Sequence, residues 1–97
     1  MLLSITEYKR KYIDKQGKAP AILLNKSGES FFLGDVNKVT NTNGKIRCKW
    51  RALNVPDQWH EYTHIALLGD NEVVYLQEIT PIHLDGKSSN VEITFHE

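Results

Sequence analysis

The sequence has little of what stabilises or targets many small proteins. Its one cysteine, Cys48, excludes an internal disulfide and a zinc site built from cysteines. No apolar run approaches the ~18 residues of a membrane span, and the acid Glu7 precedes any apolar run of signal-peptide length. We therefore expect a cytoplasmic protein without a membrane partner, stabilised by its hydrophobic core alone.

Net charge is also absent, because twelve Lys and Arg balance twelve Asp and Glu. The chain has 97 residues, 40% of them hydrophobic, which is enough for one compact core. We expect a single domain over residues 1–97. Residues 1–18 are expected to form an N-terminal helix and basic segment, and residues 19–97 a β core.

The N-terminal residues carry the signals of a helix start. Ser4 and Glu7 fit a capping box, in which each side chain accepts a hydrogen bond from the other residue's backbone amide. Apolar residues follow at helical spacing, and Gly17 is suited to end the helix.

The rest of the chain is typical of short β-strands. Residues 21–24 and 30–33 predict a hairpin, Asn43-Gly44 predicts a two-residue turn, and residues 45–52 alternate between apolar and basic. Further strands are expected on both sides of a turn at residues 69–71 and again near the C-terminus, after a polar loop over residues 83–90. The expected class is α+β, mainly β. An N-terminal helix precedes six or seven antiparallel strands in a strongly bent sheet or a small SH3-like or OB-like barrel.

Charge is distributed unevenly along this neutral chain. Residues 1–51 hold eleven basic residues and four acids, a net charge of +7, whereas residues 52–97 hold one basic residue and eight acids, a net charge of −7. Such asymmetry is typical of a polyanion-binding surface, of head-to-tail association or of an acidic face for a basic partner. The charges can also cancel if strands from the two halves interleave.

The alternation in residues 45–52 predicts a face made of cations. Ile46, Cys48, Trp50 and Ala52 should point inward, and a two-residue turn would add Lys38 to the outward cations. Like charges on neighbouring strands favour a counter-charge, either a phosphate or an acid of the protein itself. We therefore expect a non-catalytic module that binds nucleic acid or another polyanion, without a cofactor. The residues expected to bind are Lys38, Lys45, Arg47, Lys49, Arg51, Lys9 and Arg10. A structure in which Glu72, Glu78 or Glu92 neutralises these cations within the sheet would overturn this hypothesis.

Two other functions are open at this point. The acidic C-terminal half is suited to a protein-interaction or inhibitor module, and homo-oligomers are compatible with the charge pattern. Residues 60–64 also match the HExxH motif of zinc hydrolases, with His60 and His64 as ligands and Glu61 as the base. That chemistry requires a helix, which Pro56-Asp57 could begin, but the residues after Glu61 favour a strand. We therefore expect a strand and no metal site.

Overall fold

The computed structural model describes residues 2–53, 55, 60–84 and 89–96, and it begins with helical backbone. Helix α1 spans Ile5–Tyr8, a π-helical segment spans Lys9–Ile13, and α2 spans Asp14–Gln16. The predicted capping box is confirmed. The Ser4 amide donates to Glu7 Oε1 at 3.1 Å, and the Glu7 amide donates to Ser4 Oγ at 3.2 Å. Gly17 ends the helix with φ 67°, as predicted.

Within the described residues, seven strands follow the helix. Their bounds are β1 Ala21–Leu24, β2 Ser30–Gly34, β3 Lys38–Thr42, β4 Lys45–Ala52, β5 His60–Gly69, β6 Glu72–Leu84 and β7 Ser89–His96. All pairings are antiparallel. The mainly β class with one N-terminal helix is therefore confirmed.

The strands form two sheets. The four-stranded sheet has the order β2-β1-β5-β6, and the three-stranded sheet has the order β3-β4-β7. The pairing of β1 with β5 and of β4 with β7 joins strands that are distant in sequence, which local patterns do not specify. The strands therefore form two antiparallel sheets that do not close into a barrel, so the strongly bent sheet of the prediction is divided into two.

The inward faces of the two sheets share one core. Trp50 and Phe95, both fully buried, meet edge to face at 6.4 Å between ring centroids. The indole Nε1 of Trp50 donates to the carbonyl of Ala19 at 2.8 Å, so its polar atom is satisfied inside the core. The four inward residues predicted on β4 are all fully buried, which confirms the parity of that strand.

The helix closes one end of the core. Tyr8 is fully buried, and its hydroxyl donates to the carbonyl of Leu68 at 2.8 Å. Tyr12 packs against Gly69 so closely that the ring leaves no room for a side chain there. The helix is therefore tied to the turn end of β5.

Two of the predicted turns are confirmed, and one predicted loop is wrong at its ends. Asn43 and Gly44 have φ values of 52° and 76°, and Asp70 and Asn71 have 53° and 66°, as tight hairpin turns require. The predicted polar loop over residues 83–90 begins too early and ends too late. Residues 83–84 belong to β6 and residues 89–90 to β7.

Strand β6 passes through a bulge at a proline. Tyr62 pairs with Ile82 and His64 with Glu78, so residues 79–81 lie opposite Thr63 alone. Pro81 cannot donate a ladder hydrogen bond, and a bulge at an edge strand accommodates it.

In the part of the chain that the structure describes, no helix is long and apolar enough to cross a membrane.

Candidate polyanion-binding face

The basic face is the outward surface of the three-stranded sheet, and hairpin β3-β4 forms most of it. Opposite residues of an antiparallel pair share one face of the sheet. The register places Lys38 opposite Lys49, whereas Val39 lies opposite the buried Cys48. The cations that share this face are Lys38, Lys45, Arg47, Lys49 and Arg51.

Threonine hydroxyls lie among these cations. Thr40 is opposite Arg47, and Thr42 is opposite Lys45. A shallow groove runs along the two strands in two parts, of about 270 and about 120 Å³. The first part is lined by Thr40, Thr42, Asn43, Lys45 and Arg47, and the second by Lys38, Thr40, Arg47, Lys49 and Glu92. The groove therefore combines cationic and neutral hydrogen-bond donors.

Glu92 is the one acid within the described strands of this sheet, and it neutralises part of the face. It lies opposite Lys49 on the neighbouring strand β7. Its Oε1 is 3.4 Å from Arg47 Nε, and its Oε2 is 3.8 Å from Lys49 Nζ. All three side chains are more than a third exposed, so each pair is weak, on the order of 0–1 kcal/mol. Five cations and one acid leave the strands of this sheet with a net charge of +4.

Lys9 and Arg10, also predicted to bind a polyanion, lie on the π-helical segment and not on the three-stranded sheet. Lys9 Nζ pairs with Asp14 Oδ2 of the same helix at 3.0 Å. The structure therefore brings together the five strand cations and leaves the two helix cations on a different element.

Charge is divided between the sheets, which sequence reasoning did not foresee. The strands of the four-stranded sheet contain no Lys or Arg but three acids, Glu61, Glu72 and Glu78. Strands β1 and β2 come from the basic half of the chain and are uncharged, because that half's cations lie in β3, β4, the helix and the loops. Counting charge strand by strand, and not by halves, would have shown the division.

Cys48 lies between two cations in sequence but on the opposite face of β4. It is fully buried, and burial raises the pKa of its thiol to about 11. The thiol is therefore protonated at neutral pH, which favours an inert core cysteine over a nucleophile.

The HExxH motif lies on strand β5, as predicted. On a strand, residues four apart are separated by about 13 Å, so one metal ion cannot bind both His60 and His64. His64 Nδ1 is 2.9 Å from Thr63 Oγ1, and Glu61 Oε2 is 2.8 Å from His83 Nε2. Among the residues that the structure describes, no group of three potential ligands could hold a metal ion. Pro56 and Asp57, the alternative helix start, lie outside the described residues.

Comparison with known proteins adds no assignment. No protein-family model matches the chain, and no curated protein or solved structure matches it either.

Proposed function

We propose that this protein binds nucleic acid through the phosphate backbone, using the basic face. The observation that carries the proposal is the set of five cations on one side of two strands, with a groove of hydroxyl groups among them. Phosphate contacts of this kind supply most of the affinity in sequence-independent binding.

The spacing of the cations fits a linear polyanion. Every second residue of β4 is a cation, at Lys45, Arg47, Lys49 and Arg51. The Cα atoms of neighbouring cations are therefore about 6.7 Å apart. Consecutive phosphates of a nucleic-acid strand are separated by a similar distance. One phosphate strand lying along β4 would therefore meet a cation at each step.

The face supports recognition of the backbone and not of the bases. The aromatic residues Trp50 and Phe95 of this sheet are fully buried on its inward side. The described outward residues include no Phe, Tyr or Trp that could stack on a base. We therefore expect binding with little dependence on base sequence.

Glu92 is a weak internal competitor for the ligand. Its carboxylate occupies the position next to Arg47 and Lys49 that a phosphate would take. Because the two ion pairs are solvated, displacing the carboxylate costs little, and a phosphate can also approach from the β3 side, where Thr40 and Thr42 lie.

The proposal is tested by removing this competitor. Glu92→Gln should strengthen binding of a short fluorescein-labelled DNA duplex several-fold in fluorescence anisotropy at low salt, because it releases Arg47 and Lys49. Glu72→Gln, at the turn end of β6 on the other sheet, is the matched control, since it changes net charge equally at a different place. An equal gain in both variants would mean that overall charge, and not this face, attracts DNA.

Cation removal gives the second part of the test. Log affinity should fall linearly with log salt, with a slope of about −3 to −4 if four cations engage the duplex. Lys45→Gln should reduce that slope by about one, whereas Lys26→Gln, in the β1-β2 turn, should not. The double change Arg47→Glu and Lys49→Glu should abolish binding. Absence of duplex binding at low salt, or binding of heparin alone, would overturn the assignment to nucleic acid.

A further inference from the structure

The outward face of the four-stranded sheet carries an apolar row that crosses all four strands. The registers place Phe32, Ile22, Ala66 and Leu76 side by side on β2, β1, β5 and β6. The two ends of the row are open to solvent, since Phe32 is 62% exposed and Leu76 is 45% exposed.

Burial shows that this row does not belong to the core. Ala66 has no exposed surface, yet it lies outside the cluster of core residues that includes its neighbours Ile65 and Leu67. Ile22 is only half-buried, and it also lies outside that cluster. Ala66 and Ile22 therefore lie apart from the core cluster of the described residues.

Neighbouring residues extend the row into a patch, called here the apolar face. Its members are Phe32, Ile22, Leu24, Ala66, Leu68, Val73 and Leu76. An antiparallel sheet with one covered face normally alternates apolar and polar residues, whereas β1 is apolar at every position. Apolar patches of this kind on small proteins often bind a partner.

The dimensions of the apolar face suit a short segment of a partner. Four strands span about 14 Å from the first to the last, and three outward residues along a strand span about 13 Å. The area given by these two lengths is well below the ~800 Å² that each partner buries in a standard interface. The apolar face alone is therefore too small for a stable dimer. An amphipathic helix about 10 Å wide would cover it.

The charges around the apolar face favour a basic occupant. Glu78 lies in the adjacent row, next to His64, at one end of the face. At the other end, a groove of about 320 Å³ is lined by Phe32, Leu68 and Asp70, with Lys18 as the cation there. The strands of this sheet contain three acids and no Lys or Arg, whereas the opposite sheet repels basic partners.

We propose that the apolar face binds an amphipathic helix with basic flanks from a partner protein. The apolar side of the helix would cover Ile22, Ala66 and Leu76, and its Lys or Arg residues would approach Glu78 and Asp70. This proposal does not rest on the nucleic-acid proposal, because the apolar face and the basic face belong to different sheets.

The probe for this proposal is a labelled amphipathic peptide made of Leu and Lys, compared with a matched peptide of Leu and Glu. The Leu/Lys peptide should bind the wild-type protein and shift the backbone amide resonances of Ile22, Ala66 and Leu76 in NMR. Phe32→Ser and Leu76→Gln should each weaken binding by about tenfold or more, since each removes an apolar contact. Leu53→Ser is the control, because Leu53 is equally exposed, at 54%, and lies outside the strands.

Four results would overturn the proposal. They are equal binding of the Leu/Glu peptide, equal loss in Leu53→Ser, unchanged binding in folded Phe32→Ser and Leu76→Gln, and resonance shifts confined to β4. Analytical ultracentrifugation adds a fifth. A wild-type dimer that Phe32→Ser dissociates would mean that a second copy of the chain occupies the face. Circular dichroism confirms that each variant is folded before binding is measured.

Discussion

Single residues define the β3-β4 hairpin, on which the basic face depends. Gly44 occupies a left-handed backbone conformation, with φ 76°, and no atom of the described residues beyond its chain neighbours lies within 4 Å of the position that a Cβ would take. The requirement for glycine there is therefore set by backbone conformation and not by space.

Replacing Gly44 by Val should destabilise the protein by about 1–3 kcal/mol, because a β-branched residue strongly disfavours positive φ. Urea denaturation measures the change in the free energy of unfolding. Gly44→Asn is the matched variant, and it should cost less because Asn tolerates this conformation. Equal stability of Gly44→Val and wild type would show that the turn lies elsewhere.

Cys48 should make the protein sensitive to alkaline pH. Its pKa is raised by burial from an ordinary value near 9 to about 11, so the folded state favours the protonated thiol. The associated stability is complete below about pH 9 and is lost as pH rises through about 11. A shift of this size corresponds to about 2–3 kcal/mol.

The measurement is urea denaturation between these pH values for wild type and Cys48→Ala. At the lower pH, Cys48→Ala should have a smaller free energy of unfolding than wild type, because it loses buried atoms. Its free energy of unfolding should, however, fall less steeply as pH rises. Tyr8, whose pKa burial also raises, contributes a similar decline to both proteins at higher pH. Identical pH slopes would contradict the assignment to Cys48.

Among the elements, strand β4 was predictable and strand β6 was not. The alternation of Lys45, Arg47, Lys49 and Arg51 with apolar residues, after Asn43-Gly44, fixes the limits and parity of β4. Strand β6 continues through residues 77–84 because a bulge absorbs Pro81, and a bulge depends on the partner strand. The π-helical segment Lys9–Ile13 likewise leaves the apolar pattern of a helix intact, so that pattern does not reveal it.

The strand at β5 has a chemical consequence for the HExxH motif. Purified protein should contain no stoichiometric zinc by elemental analysis, because His60 and His64 are too far apart on a strand to share an ion. His64→Ala should lower the free energy of unfolding by only about 0.5–1 kcal/mol, since this half-buried side chain makes a hydrogen bond to its neighbour Thr63 and holds no metal.

A zinc hydrolase would behave differently in both respects. The enzyme hypothesis would be restored by two results together. The wild-type protein would contain one equivalent of zinc that His64→Ala loses, and Glu61→Gln would keep the metal but eliminate hydrolysis. In a protein without zinc, Glu61→Gln would change the 2.8 Å contact between this side chain and His83 on the neighbouring strand.

At the scale of the whole molecule, the sequence predicts the surfaces better than their relative positions. Local alternation shows that Lys38 and Lys49 share a face once the turn is known. The pairing of β4 with β7 joins strands that are distant in sequence, and local patterns do not predict it. This pairing places Glu92 beside two of the five cations. The proposed basic face could therefore be predicted residue by residue, whereas its partial neutralisation and the apolar face on the other sheet depend on the topology.

The two sheets of this neutral molecule carry opposite net charge on their strands. The three-stranded sheet carries a net charge of +4 and the four-stranded sheet three acids without a basic residue. For sheets packed about 10 Å apart, these strand charges alone contribute an electric dipole on the order of 30 e·Å, roughly perpendicular to both sheets. Near its pI of about 6.9 the protein would show no net migration in an electric field, yet the field would rotate it. At a charged surface, therefore, the molecule would take up a preferred orientation before any specific contact forms.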